Sequence, residues 1–196
     1  MTRIAVFASG NGSNLQALID AIGQGKLRAE IKLVVSDRPD CHALQRARSA
    51  GIAVLAFEPA DFRDKAHYEG VIAEELAKSR VEYLVLAGYM RLIGSTLLQL
   101  YPRRIINIHP SLLPHFPGKD AIGRALAAGA AETGVTVHYV DEGIDTGPVI
   151  AQERIAVVPG EGRADLEQKI HAVEHRLYPQ VLRQIFQEEE KWPGVR

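Results

Sequence analysis

The chain has one cysteine, no long apolar run and no excess of charge of one sign, and each of these features excludes a class of protein. The single cysteine, Cys41, excludes an intrachain disulfide framework and a cysteine-based zinc site, and it fits a reducing compartment such as the cytoplasm. Because no 18 consecutive residues are apolar, neither a membrane span nor a signal peptide is expected. With a formal net charge of -1, the chain offers no overall basic field for nucleic acid.

Composition and length predict a single globular domain. Of the 196 residues, 46% are hydrophobic and 24% are charged, which is enough apolar material for one well-buried core. No internal repeat, low-complexity tract or linker rich in Gly, Ser or Pro divides the sequence.

Short apolar runs alternate with helical segments along the first 110 residues. Runs without polar alternation indicate strands that are buried on both faces. We expect strands at about 4–8, 31–36, 52–57, 81–88 and 105–109, and helices at about 13–22, 42–50, 62–78 and 95–100. This order predicts a doubly wound, Rossmann-like α/β fold with a mostly parallel sheet.

The pattern changes after Gly118. A helix is expected at about 119–128, followed by segments 134–140 and 148–157, which we expect to extend the sheet with antiparallel pairing. A long closing helix is predicted from Arg163 to about Gln187, interrupted or ended near Pro179 because proline disrupts helical hydrogen bonding.

Three loops of unusual composition follow the predicted first, fourth and fifth strands, at residues 9–14, 88–92 and 109–118. In open α/β sheets, ligands bind beyond the carboxyl ends of strands, near the point where the strand order reverses. With a strand order of 3-2-1-4-5, all three loops would surround one cleft.

The first of these loops, Ser9-Gly10-Asn11-Gly12-Ser13-Asn14, is suited to an anion. Its glycines allow close backbone approach, and the amides of Gly12, Ser13 and Asn14 lie at a predicted helix start. A single phosphate fits better than a dinucleotide, since the G-x-G-x-x-G pattern would need glycine at Leu15. The alternative is a tight turn in which Ser13 or Asn14 caps the helix.

Asn107 and His109 lie two residues apart at the end of the predicted fifth strand, which Pro110 should terminate. Their side chains therefore project to the same side, where an amide and an imidazole could stabilise an oxyanion or move a proton. The alternative is that both residues merely cap a turn.

Three carboxylates follow the first alternating segment, at Asp141, Glu142 and Asp145. One of them could stand beside His109, raising the pKa of its ring and holding its tautomer, although spacing does not choose among them. The alternative is an ordinary solvated turn, because Asp and Gly are common in such loops.

One motif indicates a different chemistry. The segment from His171 to His175 matches the H-x-x-E-H pattern of some zinc peptidases, with both imidazoles on one helix face. A third ligand would have to come from residues 188–190, so ordinary helix residues are the favoured interpretation. His138, on an alternating strand, is interpreted as structural.

In order and nearly from end to end, these motifs resemble the folate-dependent formyltransferases. The segments that carry the resemblance are residues 9–16, 86–91, 107–114, 137–141, 145–150 and 174–179. Asn-x-His-Pro-Ser with a later Asp is common to the folate-dependent formyl-transferring domains. The Gly-Asn-Gly-Ser-Asn loop and Glu174-His175 resemble the branch whose acceptor is 5′-phosphoribosylglycinamide.

The resemblance implies a single domain with the formyltransferase fold over residues 1–190 and a tail at 191–196. Residues 1–110 would form a phosphate- or nucleotide-binding half, and residues 111–190 a half with the folate loop and the closing helix. The implied reaction is formyl transfer from 10-formyltetrahydrofolate to phosphoribosylglycinamide in de novo purine biosynthesis. The enzyme would be cytoplasmic, a monomer or homodimer, and would need no metal, nucleic acid or membrane.

The resemblance also implies roles for individual residues. Asn107, His109 and Asp145 would be catalytic, with Asn107 and a protonated His109 stabilising the oxyanion. Asp145 would keep His109 charged near neutral pH and order a water that relays the proton. The residues implied to bind phosphoribosylglycinamide are Gly12, Ser13, Asn14, His171 and Glu174. Those implied to bind folate are Lys65, Met90, Arg91, Leu92, Ile93, Asn107, Asp141, Glu142, Gly143, Ile144 and Asp145.

At Lys65 some family members have Arg near the folate tail, so a point charge replaces a planar guanidinium. Two other functions remain possible from the sequence. One is a formyltetrahydrofolate hydrolase or a formyltransferase acting on another amine; the other is a non-catalytic nucleotide-binding regulatory domain.

Overall fold

The computed structural model describes residues 1–191, in which strands and helices alternate as predicted. The strands are β1 (Thr2–Phe7), β2 (Ala29–Ser36), β3 (Val54–Ala56), β4 (Tyr83–Leu86), β5 (Ile105–His109), β6 (Glu132–Tyr139) and β7 (Val149–Ala156). The helices are α1 (Ser13–Gly23), α2 (His42–Ser49), α3 (Lys65–Lys78), α4 (Ser95–Leu100), α5 (Ala121–Ala127) and α6 (Arg163–Lys191), with a short 3-10 helix at Pro59–Asp61.

Within residues 1–191 the strands form one seven-stranded sheet, in the order β3-β2-β1-β4-β5-β6-β7. The pairs from β3 to β5 are parallel, and β6 and β7 add antiparallel pairs at one side. The predicted doubly wound sheet with an antiparallel extension is confirmed.

Helices cover the sheet on both faces, because alternate strand residues point to opposite sides. Ile4 and Val6 of β1 belong to the apolar cluster that includes buried residues of α1, α2, α5 and α6. Ala5 and Phe7 belong to a second cluster, which includes buried residues of α3 and α4. Both faces of the parallel strands are therefore core, as their unbroken apolar runs indicate.

The strand order reverses between β1 and β4, so the loops that follow these two strands are neighbours. The backbone N–H of Ser9 donates to the carbonyl of Gly88 over 3.0 Å. The loop at residues 9–14, here named the anion loop, therefore meets the loop after β4 at the predicted switch point.

The closing helix differs from its prediction. Helix α6 runs through Pro179 and ends at Lys191. Buried side chains on both sides of the proline, including Tyr178 and Leu182, pack into the core. This burial offsets the hydrogen bond that proline cannot donate. Of the predicted tail, Lys191 belongs to α6, and residues 192–196 lie outside the described residues.

None of the helices in residues 1–191 combines the length and apolar character needed to cross a membrane.

Candidate active site

Gly12 of the anion loop is the N-cap of α1 and has a left-handed backbone with φ of 77°. A Cβ at this position would lie 2.7 Å from Cα of Ala43, so only glycine fits without displacing α2. No side chain caps the helix in the described structure, and the alternative of Ser13 or Asn14 as N-cap is therefore wrong. The first amides of α1 are left without a side-chain partner, as an anion site needs.

Positive charge also lies beside this loop, and it comes from Arg46, a residue that no sequence motif indicated. Nε and Nη2 of Arg46 on α2 donate to the backbone and side-chain oxygens of Asn11, over 3.0 and 3.1 Å. Nδ1 of His42 lies 3.2 Å from the same carbonyl. Helix α2 thus fixes the loop and brings a guanidinium next to it, which favours a bound anion.

The loop is joined to α6 through two of the predicted substrate residues. Nδ2 of Asn14 donates to Glu174 over 3.0 Å, although 160 residues separate them in sequence. Burial raises the pKa of Glu174, and the Asn14 hydrogen bond and the charge of His171 offset only part of that rise. The carboxyl group is thus poorly solvated and is suited to binding a cationic or hydrogen-bond-donating group.

His171 is exposed, and its ring stacks on that of His175 with centroids 6.0 Å apart. The predicted shared helix face of these two histidines is confirmed. Glu174 is directed instead toward Asn14. Among residues 1–191, no group of three or more His, Cys, Asp and Glu side chains could hold a metal ion.

Asp145 is the centre of a polar cluster at the carboxyl end of β5. One carboxylate oxygen accepts from the backbone N–H of Gly118 over 2.7 Å and lies 3.3 Å from Nδ1 of His109. The other lies 3.4 Å from Nδ2 of Asn107 and 3.5 Å from Nε2 of His138. The structure thus brings the three predicted catalytic residues together.

The choice among the three carboxylates of the loop follows from these contacts. Asp141 accepts from the Gly143 N–H over 3.0 Å and from the Thr146 hydroxyl over 2.6 Å, so it stabilises its own turn. Glu142 is exposed. Asp145 has a left-handed backbone with φ of 55°, a costly conformation for a non-glycine residue, and it is the one directed at His109.

Burial of His109 acts against the predicted protonation of its ring. Its Nε2 lies 2.9 Å from the carbonyl of Phe116, which only accepts, so Nε2 carries a hydrogen. Burial lowers the pKa of His109, and the Phe116 hydrogen bond and the Asp145 charge, which both raise it, do not compensate. This direction opposes the prediction that Asp145 keeps His109 charged near neutral pH, because desolvation of the ring outweighs the carboxylate.

Asp145 itself is held ionised. Burial raises the pKa of its carboxyl group, but the contacts with His138, the Gly118 N–H and His109 outweigh burial and give a net lowered pKa. The cluster therefore contains an ionised carboxylate, surrounded by an amide and two imidazoles.

His138, interpreted from the sequence as structural, belongs to this cluster. It pairs with Asn107 across β5 and β6, and its Nε2 lies 3.1 Å from Nδ2 of Asn107. Its Nδ1 lies 2.8 Å from the carbonyl of Tyr139, so in the neutral ring Nε2 accepts from Asn107. The alternating pattern of β6 held the signal, but finding it required the register of the antiparallel pair.

Apart from Lys65 on α3 and Asn107 on β5, the predicted folate residues lie in two segments, around residues 88–94 and 141–145. In the first, Met90, Arg91 and Leu92 are exposed and Ile93 is buried. Tyr89 of this segment and Val140, next to the second, pack against the same apolar cluster. Lys65, predicted to contact folate, donates from Nζ to the carbonyl of Leu92 over 3.1 Å and so contacts the first segment.

Comparisons with known proteins agree with this site. A family model described as formyl transferase matches residues 2–182. The phosphoribosylglycinamide formyltransferase of Bacillus subtilis is 50% identical over 185 residues, which are 94% of this chain and 95% of that protein. The trifunctional purine biosynthetic protein adenosine-3 of Drosophila pseudoobscura pseudoobscura is 46% identical over 92% of this chain, which corresponds to 13% of that longer protein.

A solved structure gives the same result for the fold. Glycinamide ribonucleotide transformylase 1 from Geobacillus kaustophilus superimposes with a TM-score of 0.92 and 56% sequence identity, over 94% of this chain and 98% of that one. The family model covers both the anion loop and the cluster around Asp145, and the resemblance found in the sequence is confirmed. The chain belongs to the formyl transferase family.

Proposed function

We propose that this chain transfers the formyl group of 10-formyltetrahydrofolate to the amine of 5′-phosphoribosylglycinamide, releasing tetrahydrofolate in purine biosynthesis. The observation that carries the proposal is the cluster of Asn107, His109 and Asp145 at a strand end, joined through α6 to an anion loop. An acceptor with a phosphate at one end and an amine at the other matches that pair of features.

The distance between the two features is set by α6. Glu174 contacts the anion loop through Asn14, and Tyr178, one helical turn later, donates its hydroxyl to the carbonyls of Leu86 and Ile106 over 2.9 and 3.0 Å. Ile106 directly precedes Asn107. An acceptor whose phosphate binds at Gly12, Ser13 and Asn14 can therefore extend past Glu174 and His171 toward the cluster.

In the proposed reaction the amine nitrogen attacks the formyl carbon, giving a tetrahedral oxyanion, and the bond from that carbon to N10 of the folate then breaks. Nδ2 of Asn107 donates to the oxyanion, and the developing negative charge favours the protonated form of His109, whose ring stabilises it. Asp145, ionised at neutral pH, orients a water that takes the proton of the attacking amine and passes it to N10.

The formyl donor would bind along residues 90–93 and 141–145. Exposed Met90 and Leu92 offer apolar contacts to an aromatic ring, and backbone groups can bind its polar edge. We further propose that the enzyme acts in the cytoplasm, as the single cysteine suggests, and as a monomer or homodimer.

The test is an absorbance assay of tetrahydrofolate formation from 10-formyltetrahydrofolate, with phosphoribosylglycinamide, with its phosphate-free counterpart, or with water alone. We expect turnover with the phosphorylated acceptor and a much higher KM without the phosphate. Turnover in water alone would indicate a hydrolase, and donor binding without turnover would indicate a regulatory domain.

A second assay uses Glu174→Gln, which removes a buried charge at the proposed acceptor site. Loss of a hydrogen bond to a charged group costs about 1.5–3 kcal/mol, so KM for the acceptor should rise about 10- to 100-fold. Glu188→Gln, at an exposed position of the same helix, should change neither KM. An unchanged acceptor KM in Glu174→Gln would remove this residue from the site.

A further inference from the structure

The segment Gly88–Gly94, here named the donor loop, connects β4 to α4 and carries four of the proposed folate residues. Two of its apolar side chains are exposed, Met90 at 58% and Leu92 at 48% of their full accessible surface, whereas Ile93 is buried. Exposed apolar side chains contribute little to fixing a loop. If backbone groups of the donor loop are to bind a ligand, other residues must hold them in place.

The middle of the donor loop is held by Asp37, which follows β2 and is not part of the proposed site. Its side chain is 3% exposed. One carboxylate oxygen accepts from the Ser9 hydroxyl over 2.5 Å, and the other accepts from Nε of Arg91 over 3.0 Å. Asp37 thus contacts the donor loop directly at Arg91 and indirectly through Ser9.

The indirect contact has a defined direction. Oγ of Ser9 accepts from the backbone N–H of Met90 over 2.9 Å. A hydroxyl has one hydrogen, and Ser9 donates it to Asp37, so a lone pair of its oxygen is available to the Met90 N–H. The carboxylate therefore orients the hydroxyl that holds this peptide group.

The charge of Asp37 has a cost that its fold role alone does not require. Burying a carboxylate is unfavourable unless it is paired and hydrogen-bonded. Both partners of Asp37 serve the donor loop, and an amide could accept from Ser9 without the cost of burying a charge. The negative charge is needed for Arg91, whose guanidinium is 46% exposed and would otherwise be free to move.

The C-terminal end of the donor loop is held by α3. Glu69, which is buried, accepts from the backbone N–H of Gly94 over 2.6 Å, and Lys65, one turn earlier, donates to the carbonyl of Leu92 over 3.1 Å. A Cβ at Gly94 would lie 2.7 Å from Oε2 of Glu69, so the loop packs closely against this carboxylate.

We propose that Asp37 and Glu69 are positioning residues for the formyl donor: Asp37 fixes the middle of the donor loop and Glu69 fixes its last residue, Gly94. The inference rests on the proposed function, because it assigns the donor to this loop. Neither residue touches the reacting atoms; each acts through Ser9, Arg91 or Gly94.

The test measures donor and acceptor KM, kcat and thermal stability for Asp37→Asn, Ser9→Ala and Glu69→Gln. Asp37→Asn keeps the shape and an acceptor for Ser9 but loses the ion pair, and Ser9→Ala removes the contact with the Met90 N–H. We expect each variant to raise the donor KM about 10-fold, with kcat and acceptor KM within about twofold of wild type, since one such contact is worth about 1.4 kcal/mol. Asp40→Asn, an exposed carboxylate three residues after Asp37, is the matched control and should leave all values unchanged.

Equilibrium binding of 10-formyltetrahydrofolate to the same variants, without acceptor, separates this inference from the proposed function. A wild-type chain without formyl transfer would contradict the proposed function, and weaker donor binding by the variants would still support the inference. Donor affinity equal to wild type in Asp37→Asn and Ser9→Ala would overturn it. So would a parallel change of both KM values and kcat with lower thermal stability, because that result indicates a purely structural role.

Discussion

Nδ2 of Asn107 carries two hydrogens, and both have acceptors in this structure. Nε2 of His138 lies at 3.1 Å and an oxygen of Asp145 at 3.4 Å. Hydrogen bonds weaken with distance, so a formyl oxygen entering the cluster would displace the Asp145 contact first. Asn107 would then keep its orientation through His138 while one N–H turns to the oxyanion.

Removing either proposed oxyanion donor should mainly affect turnover. Asn107→Ala and His109→Ala should each lower kcat about 10²- to 10³-fold, because one donor aimed at a developing oxyanion contributes this much. Equilibrium binding of the donor should change little, since it depends mainly on the donor loop and residues 141–145.

The control for these variants is His67→Ala, at an exposed position of α3. It should retain wild-type kcat. Unchanged kcat in Asn107→Ala or His109→Ala would contradict the assignment of the cluster as catalytic.

The titration of His109 is a second prediction at the residue scale. Burial lowers its pKa below the usual 6.5, while the Asp145 charge raises it. A nuclear magnetic resonance titration of the ring C–H should therefore give a pKa below 6.5 in the free enzyme, and a still lower one in Asp145→Asn. A pKa above 6.5 in the free enzyme would show that burial is not the dominant influence, and a rise in the variant would show that the Asp145 charge does not raise the pKa of His109.

The same shift has a consequence for stability. Because the folded-state pKa lies below the unfolded value, the folded chain disfavours protonation of His109. The corresponding stability is fully present above about pH 6.5 and is lost as the pH falls through the folded-state pKa.

At the scale of elements, α6 links the two halves of the site. The fully buried Tyr178 shares its hydroxyl between the carbonyl of Leu86, the last residue of β4, and that of Ile106 in β5; these strands precede the donor loop and the cluster. The position of α6, and with it that of Glu174, therefore depends on the sheet that carries Asn107.

Tyr178→Phe should lower the free energy of unfolding by about 1–2 kcal/mol, because the buried hydroxyl that donates to the carbonyls of Leu86 and Ile106 is lost. Tyr101→Phe is the matched control, since its hydroxyl makes one longer contact, 3.4 Å from the carbonyl of Val81, at a half-buried position. Urea unfolding of both variants measures the difference. A loss in Tyr101→Phe equal to that in Tyr178→Phe would indicate that the buried hydroxyl does not anchor α6.

The elements differ in how far the sequence predicts them. The apolar run 105–109 shows both a buried strand and, through its period of two, that Asn107 and His109 share a side. The predicted interruption of the closing helix at Pro179 is wrong, because a helix can continue through proline when packing on both sides is strong. Local sequence does not show that packing.

Contacts between distant segments were not predictable for the same reason. Asp145 could not be separated from Asp141 and Glu142, because the choice depends on a left-handed backbone at one residue. Asp37 and His138 acquire their roles through neighbours 28 to 54 residues away, such as Ser9, Arg91 and Asn107. Those contacts follow from strand order and register.

At the scale of the whole molecule, the parallel strands bring the anion loop, the donor loop and the cluster together at the carboxyl ends of the strands. The β6 and β7 extension supplies His138 and the loop with Asp145. The parallel half thus holds the proposed phosphate site, and the antiparallel half completes the site of formyl transfer.

The most direct test of this account follows a ¹³C-labelled formyl group by nuclear magnetic resonance, starting from labelled 10-formyltetrahydrofolate and unlabelled phosphoribosylglycinamide. Direct transfer predicts that the label moves to the acceptor nitrogen at the rate of tetrahydrofolate formation. It also predicts that Asn107→Ala slows label transfer and tetrahydrofolate formation equally. Label released as formate, or label that stays on the donor, would contradict direct transfer to the amine.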